Sequence, residues 1–354
     1  MKKHSILKKL FALAAAAALA LSLGACSNDN EQVTQKSQTN SGESQAVESA
    51  GQTEDKTYKV AIIKQMDHAS LDEIAKAVGD ELNQLAKDNG VTIQYEVTSG
   101  QGDPTILKQL ADQAIADGVD AIVPIATTAA QVAATSAEDT KTPVVCAAVS
   151  YPEDANLTGI DYVTGTSDAL NAPFIIDMML AQNPGLSKVG LLYSLSEDNS
   201  ATPIADAKAH LDKKGIPYTV QTANSNDEVI AAVSALIADG VGAIFTPTDN
   251  IIMSAELAIY EDLIQAGVPH YTGADSFVRN GAFTACGVNY TELGARTADL
   301  TFQAITQGVA SVGEFSMMEG GIITVNTETA AAMNIDYSMF SNMGTVVEVQ
   351  TTED

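Results

Sequence analysis

The chain has 354 residues, enough for two domains of ordinary size, and 45% of them are hydrophobic. Its 18 lysines and arginines stand against 45 aspartates and glutamates, which gives a formal net charge of −27. This acidity argues against binding to nucleic acid, whose phosphates require a basic surface, and against electrostatic attachment to anionic lipid.

The first 25 residues have the composition of a bacterial secretory signal. Four lysines accompany an apolar run, Leu10 to Leu23, that is too short for a comfortable membrane span. The sequence "LGAC" ends this segment and resembles the lipobox, in which the cysteine becomes the lipid-carrying N-terminus. We predict a signal peptide over residues 1–25 and lipidation of Cys26; ordinary cleavage nearby with an incidental cysteine is the alternative.

Residues 26–56 form a predicted disordered tether. After Cys26 they contain almost nothing apolar and are dominated by Ser, Gln, Asn, Glu and Thr, so they cannot bury enough apolar surface to fold. A flexible coil of this length spans roughly 30 Å root-mean-square. We expect it to hold the folded part off the extracytoplasmic face of the cell membrane.

The folded part begins at residue 57 with alternating strands and helices. "YKVAIIK" suits a buried strand, a helical stretch runs from about Leu71 to Asp88, and "VTIQYEVTS" alternates as a strand does. "DPTILKQLADQAIADG" opens on Asp-Pro and closes on Gly118, as a helix does. "DAIVPIA", "TAAQVAATSAED" and "TPVVCAAVS" then predict strand, helix and strand. This alternation predicts a parallel sheet.

The same order of elements then restarts. "KVGLLYS" (188–194) parallels "KVAIIKQ" (59–65), "IADGVGAIFTPT" (237–248) parallels "IADGVDAIVPIA" (115–126), and "VPHYTGADS" parallels "TPVVCAAVS". Agreement of four successive elements in one order predicts two lobes of the same topology. The predicted fold class is α/β, with two doubly wound parallel-sheet lobes joined by a hinge.

The tail contains a predicted helix, "YTELGARTADLTFQAITQG", and the late strands "GIITVN" and "TVVEVQ". Chains of this design cross between lobes more than once, so we expect the tail to serve both lobes. The predicted division is lobe one over 57–163, lobe two over 164–285, a return to lobe one over 286–317, and a C-terminal segment of lobe two over 318–354.

Ligands of open parallel sheets bind beyond the carboxyl ends of the strands. Helix N-termini there offer unpaired N–H groups to a carboxylate or phosphate. The loops at these ends are polar in both lobes: "KQMDHAS", "TSGQGD", "ATTAA" and "VSYP" in the first, and "SLSEDNS", "TPTDN" and "GADS" in the second. Two facing lobes would enclose one cleft for a small ligand.

Two acids of lobe two stand out by position. Asp249 and Asp275 follow strands at places where the first copy of the repeat has Thr127 and Val149. A carboxylate at either place could pair with an ammonium group of the ligand. Capping of the following helix explains an aspartate there equally well.

Hydroxyl and aromatic side chains in these loops are further candidates. Thr127 and Thr128 precede a helix in lobe one, and Ser196 and Ser200 lie near one in lobe two. They could offer hydroxyl and N–H groups to a carboxylate, although capping alone would explain them. Tyr151 could stack on a ligand ring or lie on the surface.

The sequence carries no motif for catalysis or for a cofactor. "SGQGD" lacks the third glycine of a dinucleotide fingerprint, and there is no phosphate loop of the GxxxxGK[ST] type. His210, in a predicted helix, and His270, in a predicted strand, are more typical of structural histidines than of a catalytic triad. His68 and Asp72 have metal-ligand spacing, but a solvated helix start is the simpler explanation. We therefore predict a non-enzyme without cofactor or metal.

Two cysteines remain besides Cys26. Cys146 and Cys286 are far apart in the sequence, and each lies in an apolar stretch. Buried free thiols are the expectation, and a disulfide between them in an oxidising compartment is the alternative.

Eight segments together resemble a known family. They are "ASLDEIAKAVGDEL", "QGD", "IATTAAQVAATSAEDTKTPVV", "GTSDAL", "KVGLLYSLSEDNS", "FTPTDNII", "GADSFVRNGAFTACGVNYTELG" and "RTADL". In order and register over residues 58–325 they resemble the ABC-transporter substrate-binding lipoproteins of the tryptophan/tyrosine-uptake (TrpX-like) type. The resemblance implies a type I periplasmic-binding-protein fold that closes over its ligand, which is an aromatic amino acid in characterised relatives.

The resemblance also implies a set of cleft residues. The matching positions are Gln101, Gly102, Asp103, Thr127, Ser196, Asn199, Ser200, Thr248, Asp249, Asn250, Asp275 and Ser276. Gln65, Thr128, Ser150 and Tyr151 from the lobe-one exit loops complete the predicted ligand-binding set. The chain departs from the family pattern at Lys64, at Asp67-His68-Ala69, at Thr128 and in "VSYP". These departures lie in lobe-one cleft loops and bear on the choice of ligand.

We therefore predict a lipid-anchored, monomeric receptor on the extracytoplasmic face of the cell membrane. It would deliver an amino acid or similar zwitterion, aromatic by the resemblance, to an ABC permease and its ATPase. Binding would close the hinge without any chemical reaction. A ligand-sensing module for a membrane signalling protein is the alternative, and an enzyme on the same scaffold would lack a nucleophile and base.

Overall fold

A computed structural model of the protein describes residues 56–352. The predicted signal peptide, Cys26 and residues 26–55 of the tether lie outside this range. Within residues 56–352, no helix is both long and apolar enough to cross a membrane.

Strands and helices alternate through most of the described range. The strands are β1 (Thr57–Lys64), β2 (Thr92–Ser99), β3 (Ala121–Ile125), β4 (Val144–Cys146), β5 (Val163–Ser167), β6 (Val189–Tyr193), β7 (Tyr218–Thr222), β8 (Ala243–Thr246), β9 (His270–Thr272), β10 (Thr284–Gly287), β11 (Ser316–Met317), β12 (Ile322–Asn326) and β13 (Thr345–Val349). The α-helices are α1 (Ala69–Asn89), α2 (Pro104–Ala116), α3 (Thr127–Ser136), α4 (Ala172–Gln182), α5 (Ala201–Lys214), α6 (Asn226–Ala238), α7 (Asn250–Ser254), α8 (Glu256–Ala266), α9 (Asp275–Arg279), α10 (Tyr290–Gln307) and α11 (Thr327–Ala332).

The strands form two sheets of the same design. The first sheet has the order β2-β1-β3-β4-β5-β11, and the second has the order β7-β6-β8-β9-β10-β12-β13. The first five strands of each sheet therefore follow one order, which is the structural counterpart of the sequence repeat. Their pairings are parallel, whereas β12 runs antiparallel to β10. The prediction of two doubly wound parallel-sheet lobes is confirmed.

Helices cover both faces of each sheet, so the central strands are buried. In the first lobe α1 and α10 pack on one face, and α2 and α3 pack on the other. In the second lobe α4 and α5 cover one face, and α6 to α9 cover the other. Strands β3, β4 and β5 are buried along their whole length, which explains the continuous apolar sequences of β3 and β4, whereas β5 is rich in buried hydroxyl residues.

Local sequence signals explain several helix boundaries. Asp103 precedes α2 and its carboxylate accepts a hydrogen bond from the Thr105 N–H at 2.7 Å, with Pro104 at the first helical position. Helices α5 and α8 end at Gly215 and Gly267, which adopt the left-handed conformation that favours glycine.

Close packing of α10 on α1 depends on Gly294. A Cβ atom at this position would lie 2.6 Å from the Ala77 Cβ and 2.8 Å from the Ile74 carbonyl oxygen. Both distances are below van der Waals contact, so a larger residue would force the two helices apart.

The chain crosses between the lobes after β5, after β10 and between β11 and β12. The first sheet extends to Ser167 rather than to the expected boundary at 163. Residues 163–165 of β5 pair with β4, and Thr166 and Ser167 pair with β11. Similarly, β10 stays paired with β12 as far as Gly287, beyond the expected end of lobe two at 285.

The two cysteines of the described range lie on different sheets. Cys146 ends β4 in the first lobe and Cys286 lies on β10 in the second. Both are buried and free.

Candidate functional site

The carboxyl ends of both sheets face a shared, mainly polar cavity. Seven residues of the predicted ligand-binding set line this cavity: Thr127, Ser150, Asn199, Thr248, Asp249, Asn250 and Ser276. Further polar lining comes from four residues outside that set: His68, Ser70, Asp168 and Tyr290. The apolar lining consists of Leu71, Ala126, Ala148, Met253, Ala274 and Phe277.

The lobes are closed on each other around this cavity. The Gln65 side-chain amide of lobe one donates to the Glu197 carboxylate of lobe two at 2.6 Å. The hydroxyls of Ser70 and Ser276 are hydrogen-bonded across the cleft. At the rim, Arg279 of lobe two lies 3.3 Å from the Glu73 carboxylate. All three of these contacts join polar side chains.

A relay of amide groups crosses the cleft and fixes the orientation of His68. Gln65 accepts from the Thr128 N–H at 3.2 Å while donating to Glu197. The Asn250 Nδ2 donates to the other Glu197 oxygen at 2.7 Å, so the Asn250 Oδ1 must act as an acceptor. The Nε2 of His68, 2.9 Å from that oxygen, is therefore the protonated nitrogen.

His68 consequently presents an unused acceptor. Burial lowers the pKa of the imidazole, which favours the neutral form. With its proton on Nε2, the ring carries a lone pair on Nδ1, and this buried atom has no hydrogen-bond partner. The Oδ1 of Asn199 is also buried without a partner, since that side chain uses its Nδ2 to donate to the Thr248 carbonyl at 2.7 Å.

The N-terminus of α3 opens on the cavity without a cap from its own N-cap residue, although the Thr128 N–H already donates to the Gln65 side chain. Its N-cap residue is Ala126, whose φ of 78° lies in the left-handed region. Thr127 at the first position lines the cavity, and its buried hydroxyl has no partner. N–H groups at a helix start, together with a free hydroxyl, can bind a carboxylate.

Asp249 is fully occupied by groups of its own lobe. One carboxylate oxygen accepts from the N–H groups of Ile251 and Ile252 at 3.1 and 3.0 Å and so caps α7. The other accepts from the Ser194 N–H and the Ser200 hydroxyl, each at 2.7 Å. This geometry corresponds to the capping alternative raised by the sequence.

Asp275 does not line the cavity. Its carboxylate forms an ion pair with Arg279, one turn along α9. Arg279 also reaches Glu73 across the cleft, so the expected pairing of Asp275 with a ligand ammonium is replaced by a pairing within the protein.

Asp168 is the acid that the cavity does expose to a ligand. It immediately follows β5, at the first crossover, and is only 4% exposed. Its carboxylate accepts from the Ser150 hydroxyl at 2.7 Å and from the Tyr290 hydroxyl at 3.2 Å. Burial raises the pKa of the Asp168 carboxyl.

Glu197 is the acid at the centre of the cross-cleft relay. It is 3% exposed. Burial, and after it the neighbouring Asp249 carboxylate, raises the pKa of Glu197 to about 8. Gln65 of the opposite lobe contributes to this burial through its hydrogen bond to the Glu197 carboxylate.

Other predicted residues lie outside the cavity lining. Gln101 is exposed in a turn with a φ of 52°. Tyr151 donates to the Leu170 carbonyl at 3.3 Å and lines a separate groove beside β5. Gln65, Thr128, Asp103 and Ser200 also lie outside the lining, and each hydrogen-bonds to another group of the protein, as described above. The Ser196 hydroxyl lies 2.7 Å from that of Ser194.

Sequence signals existed for some of the residues that the predicted set omitted. His68 and Ser70 stand in the exit loop "KQMDHAS", and Asp168 follows β5 within "GTSDAL". Tyr290 starts α10 at the second crossover, where local sequence gives no indication of the cleft.

Comparison with known proteins identifies the family. Residues 59–340 match the family model of the ABC transporter substrate-binding proteins. The chain is 26% identical over 315 residues to a tyrosine-binding protein of Clostridioides difficile, covering 87% of this chain and 85% of that protein.

Solved structures agree with this assignment. An ABC domain from Streptococcus pneumoniae in complex with L-Trp has a TM-score of 0.75 at 28% identity, covering 82% of this chain and 100% of that one. A conserved domain protein of Vibrio cholerae has a TM-score of 0.75 at 26% identity, covering 83% and 100%. The resemblance found in the sequence is confirmed. Such proteins bind solutes outside the cytoplasm and act with ABC transporters, and this chain belongs to the ABC transporter substrate-binding protein family.

Proposed function

We propose that this protein binds an aromatic amino acid between its lobes and delivers it to an ABC importer. The observation that carries the proposal is the cavity itself. It combines a helix start with an unpartnered Thr127 hydroxyl suited to a carboxylate, a buried acid suited to an ammonium group, and apolar walls.

The two ends of the cavity suit a zwitterion. The N-terminus of α3 with the free Thr127 hydroxyl provides positive potential and donors for a carboxylate. Leu71, Met253 and Phe277 provide apolar surface for a side chain. Phe277 offers an aromatic edge or face to a ligand ring.

The relatives support the aromatic class. The Clostridioides difficile relative is a tyrosine-binding protein, and the Streptococcus pneumoniae structure holds L-Trp. Both ligands carry a hydrogen-bond donor on the ring, which matches the unpartnered acceptors of His68 and Asn199.

Delivery requires attachment close to the permease. Lipidation of Cys26 and a flexible tether would keep a monomeric receptor within reach of the membrane while its lobes open and close freely. Ligand binding would shift the lobes toward the closed form, which docks on the permease.

Ligand screening of residues 57–354 tests the proposal. A ligand present at about 100 times its Kd should stabilise the protein by about 2.7 kcal/mol, which a thermal-shift screen of all protein amino acids detects. We expect tyrosine, tryptophan or phenylalanine to give the largest shifts, with calorimetry supplying the Kd. A shift with sugars or inorganic anions and none with any amino acid would refute the proposal.

A further inference from the structure

Asp168 lines the cavity and, unlike Asp249 and Asp275, has neither a cationic partner nor a full set of hydrogen-bond donors. Among the described residues, none of the ion pairs involves it. Its two hydrogen-bond donors, the hydroxyls of Ser150 and Tyr290, are neutral. A carboxylate buried with neutral donors alone is electrostatically incomplete, because buried charges are normally paired.

The two other candidate acids lack this property. Asp249 accepts four hydrogen bonds from lobe two, so its lone-pair positions are filled. Asp275 already pairs with Arg279 and does not line the cavity. Asp168 is therefore the acid with both an unfilled requirement for positive charge and access to a ligand.

Asp168 lies next to both crossovers between the lobes and close to the cleft surface of each lobe. It lies on the crossover after β5, and Tyr290 lies at the start of α10, after the second crossover. Ser150 belongs to the lobe-one cleft, and its hydroxyl lies 3.4 Å from that of Thr248 in lobe two. A cation bound here would contact the hinge directly and the closing lobe within one further contact.

We infer that Asp168 is the anionic partner of the ligand's ammonium group and that Ser150 and Tyr290 orient its carboxylate. The inference rests on the proposed function, since it requires an amino-acid ligand. It also reassigns the ammonium site from the lobe-two acids to the hinge. An ammonium group can donate to the carboxylate while its charge completes the buried site.

The test compares amino acids with analogues that lack only the amino group. Wild-type protein should bind tyrosine or tryptophan about tenfold or more tighter than 3-(4-hydroxyphenyl)propanoate or indole-3-propanoate, measured by calorimetry. Asp168→Asn should weaken amino-acid binding by about tenfold or more and leave the des-amino analogues unchanged or tighter. The ratio between the Kd of the des-amino analogue and the Kd of the amino acid should therefore fall to near one in this variant.

Asp275→Asn is the matched control, because it removes a cleft-rim acid that faces Arg279 rather than the cavity. The preference for the amino group should survive in this variant, even if closure is altered, because closure affects both ligands alike. Since asparagine is nearly isosteric and removes a buried charge, Asp168→Asn should fold; Asp168→Ala serves if it does not.

The outcomes separate the two proposals. If wild-type protein binds amino acids and Asp168→Asn keeps the full preference, or if Asp275→Asn loses it, the inference about Asp168 is refuted while the proposed function stands. If wild-type protein binds no amino acid, the proposed function is refuted and the inference with it.

Discussion

Replacing Asp249 by asparagine should destabilise the second lobe more than it weakens ligand binding. Asparagine keeps one acceptor oxygen and places an NH₂ group where the second carboxylate oxygen stood. The oxygen facing Ile251 and Ile252 can still cap α7. The NH₂ group would then face the Ser194 N–H and the Ser200 hydroxyl.

The magnitude follows from which donor loses its partner. The Ser200 hydroxyl can rotate and accept from the new NH₂ group, whereas the Ser194 N–H cannot. A buried donor without a partner costs about 1–3 kcal/mol. For a chain of this size we expect the melting temperature of the ligand-free protein to fall by roughly 2–12 °C. Loss of the buried negative charge offsets part of this change, so the lower half of the range is favoured.

The assay pairs melting of the ligand-free protein with calorimetry of the bound amino acid. Asp249→Asn should lower the melting temperature and change the Kd less than about threefold, which is under 1 kcal/mol. Ser200→Ala is the matched control, because it removes one hydroxyl donor and leaves the cap of α7 intact. An unchanged melting temperature with a Kd raised tenfold would show that Asp249 contacts the ligand and that the capping argument is wrong.

Three further predictions concern pH, helix packing and the N-terminus. In the closed form burial raises the pKa of Glu197 to about 8, so an opening that returns this carboxyl to water would release a proton and closure would take one up. Affinity should therefore decrease from pH 7 to 8.5, where histidine near its ordinary pKa is already neutral. Calorimetry in buffers of different ionisation heat should detect this uptake, Glu197→Gln should abolish it, and proton release would contradict it. Gly294→Ala should lower the free energy of unfolding by about 1–3 kcal/mol through its clash with Ile74, and denaturant titration showing stabilisation instead would refute the packing argument. Cys26→Ala should release the protein from membrane fractions or block its processing, and unchanged membrane attachment would rule out the lipid anchor.

The fold was predictable because its signals are local and repeated. Buried parallel strands appear as short apolar runs, and helices such as α2 carry their own start signal at Asp103 and Pro104. The repeat then supplies the topology of the second lobe from that of the first. Lobe boundaries inside β5 and β10 were missed by a few residues, because pairing of a strand's last residues depends on neighbours distant in the chain.

The cavity was predictable only in part, for a geometric reason. Loops at the carboxyl ends of parallel strands must face the cleft, so Thr127, Ser150 and Thr248 could be placed there from strand positions alone. The direction of a side chain within a loop depends on backbone conformation, which sent Tyr151 into a neighbouring groove.

Crossover and cross-cleft residues could not be placed from sequence. The site of Asp168 exists because α10 returns to the first lobe and brings Tyr290 to it, a contact between residues 122 positions apart. His68 seemed an ordinary solvated helix start, and its role depends on Asn250, which lies 182 positions away. No local pattern encodes either contact.

The polar character of the contact between the lobes has a consequence for unloading. Gln65, Ser70 and Ser276 meet partners across the cleft through groups that water can satisfy equally well. Separating these polar pairs exchanges protein hydrogen bonds for hydrogen bonds to water, so this part of the contact adds little to the free energy difference between the closed and open forms. Contact with a permease could therefore open the lobes at a small cost in free energy, and the ligand would be released without local unfolding of the receptor.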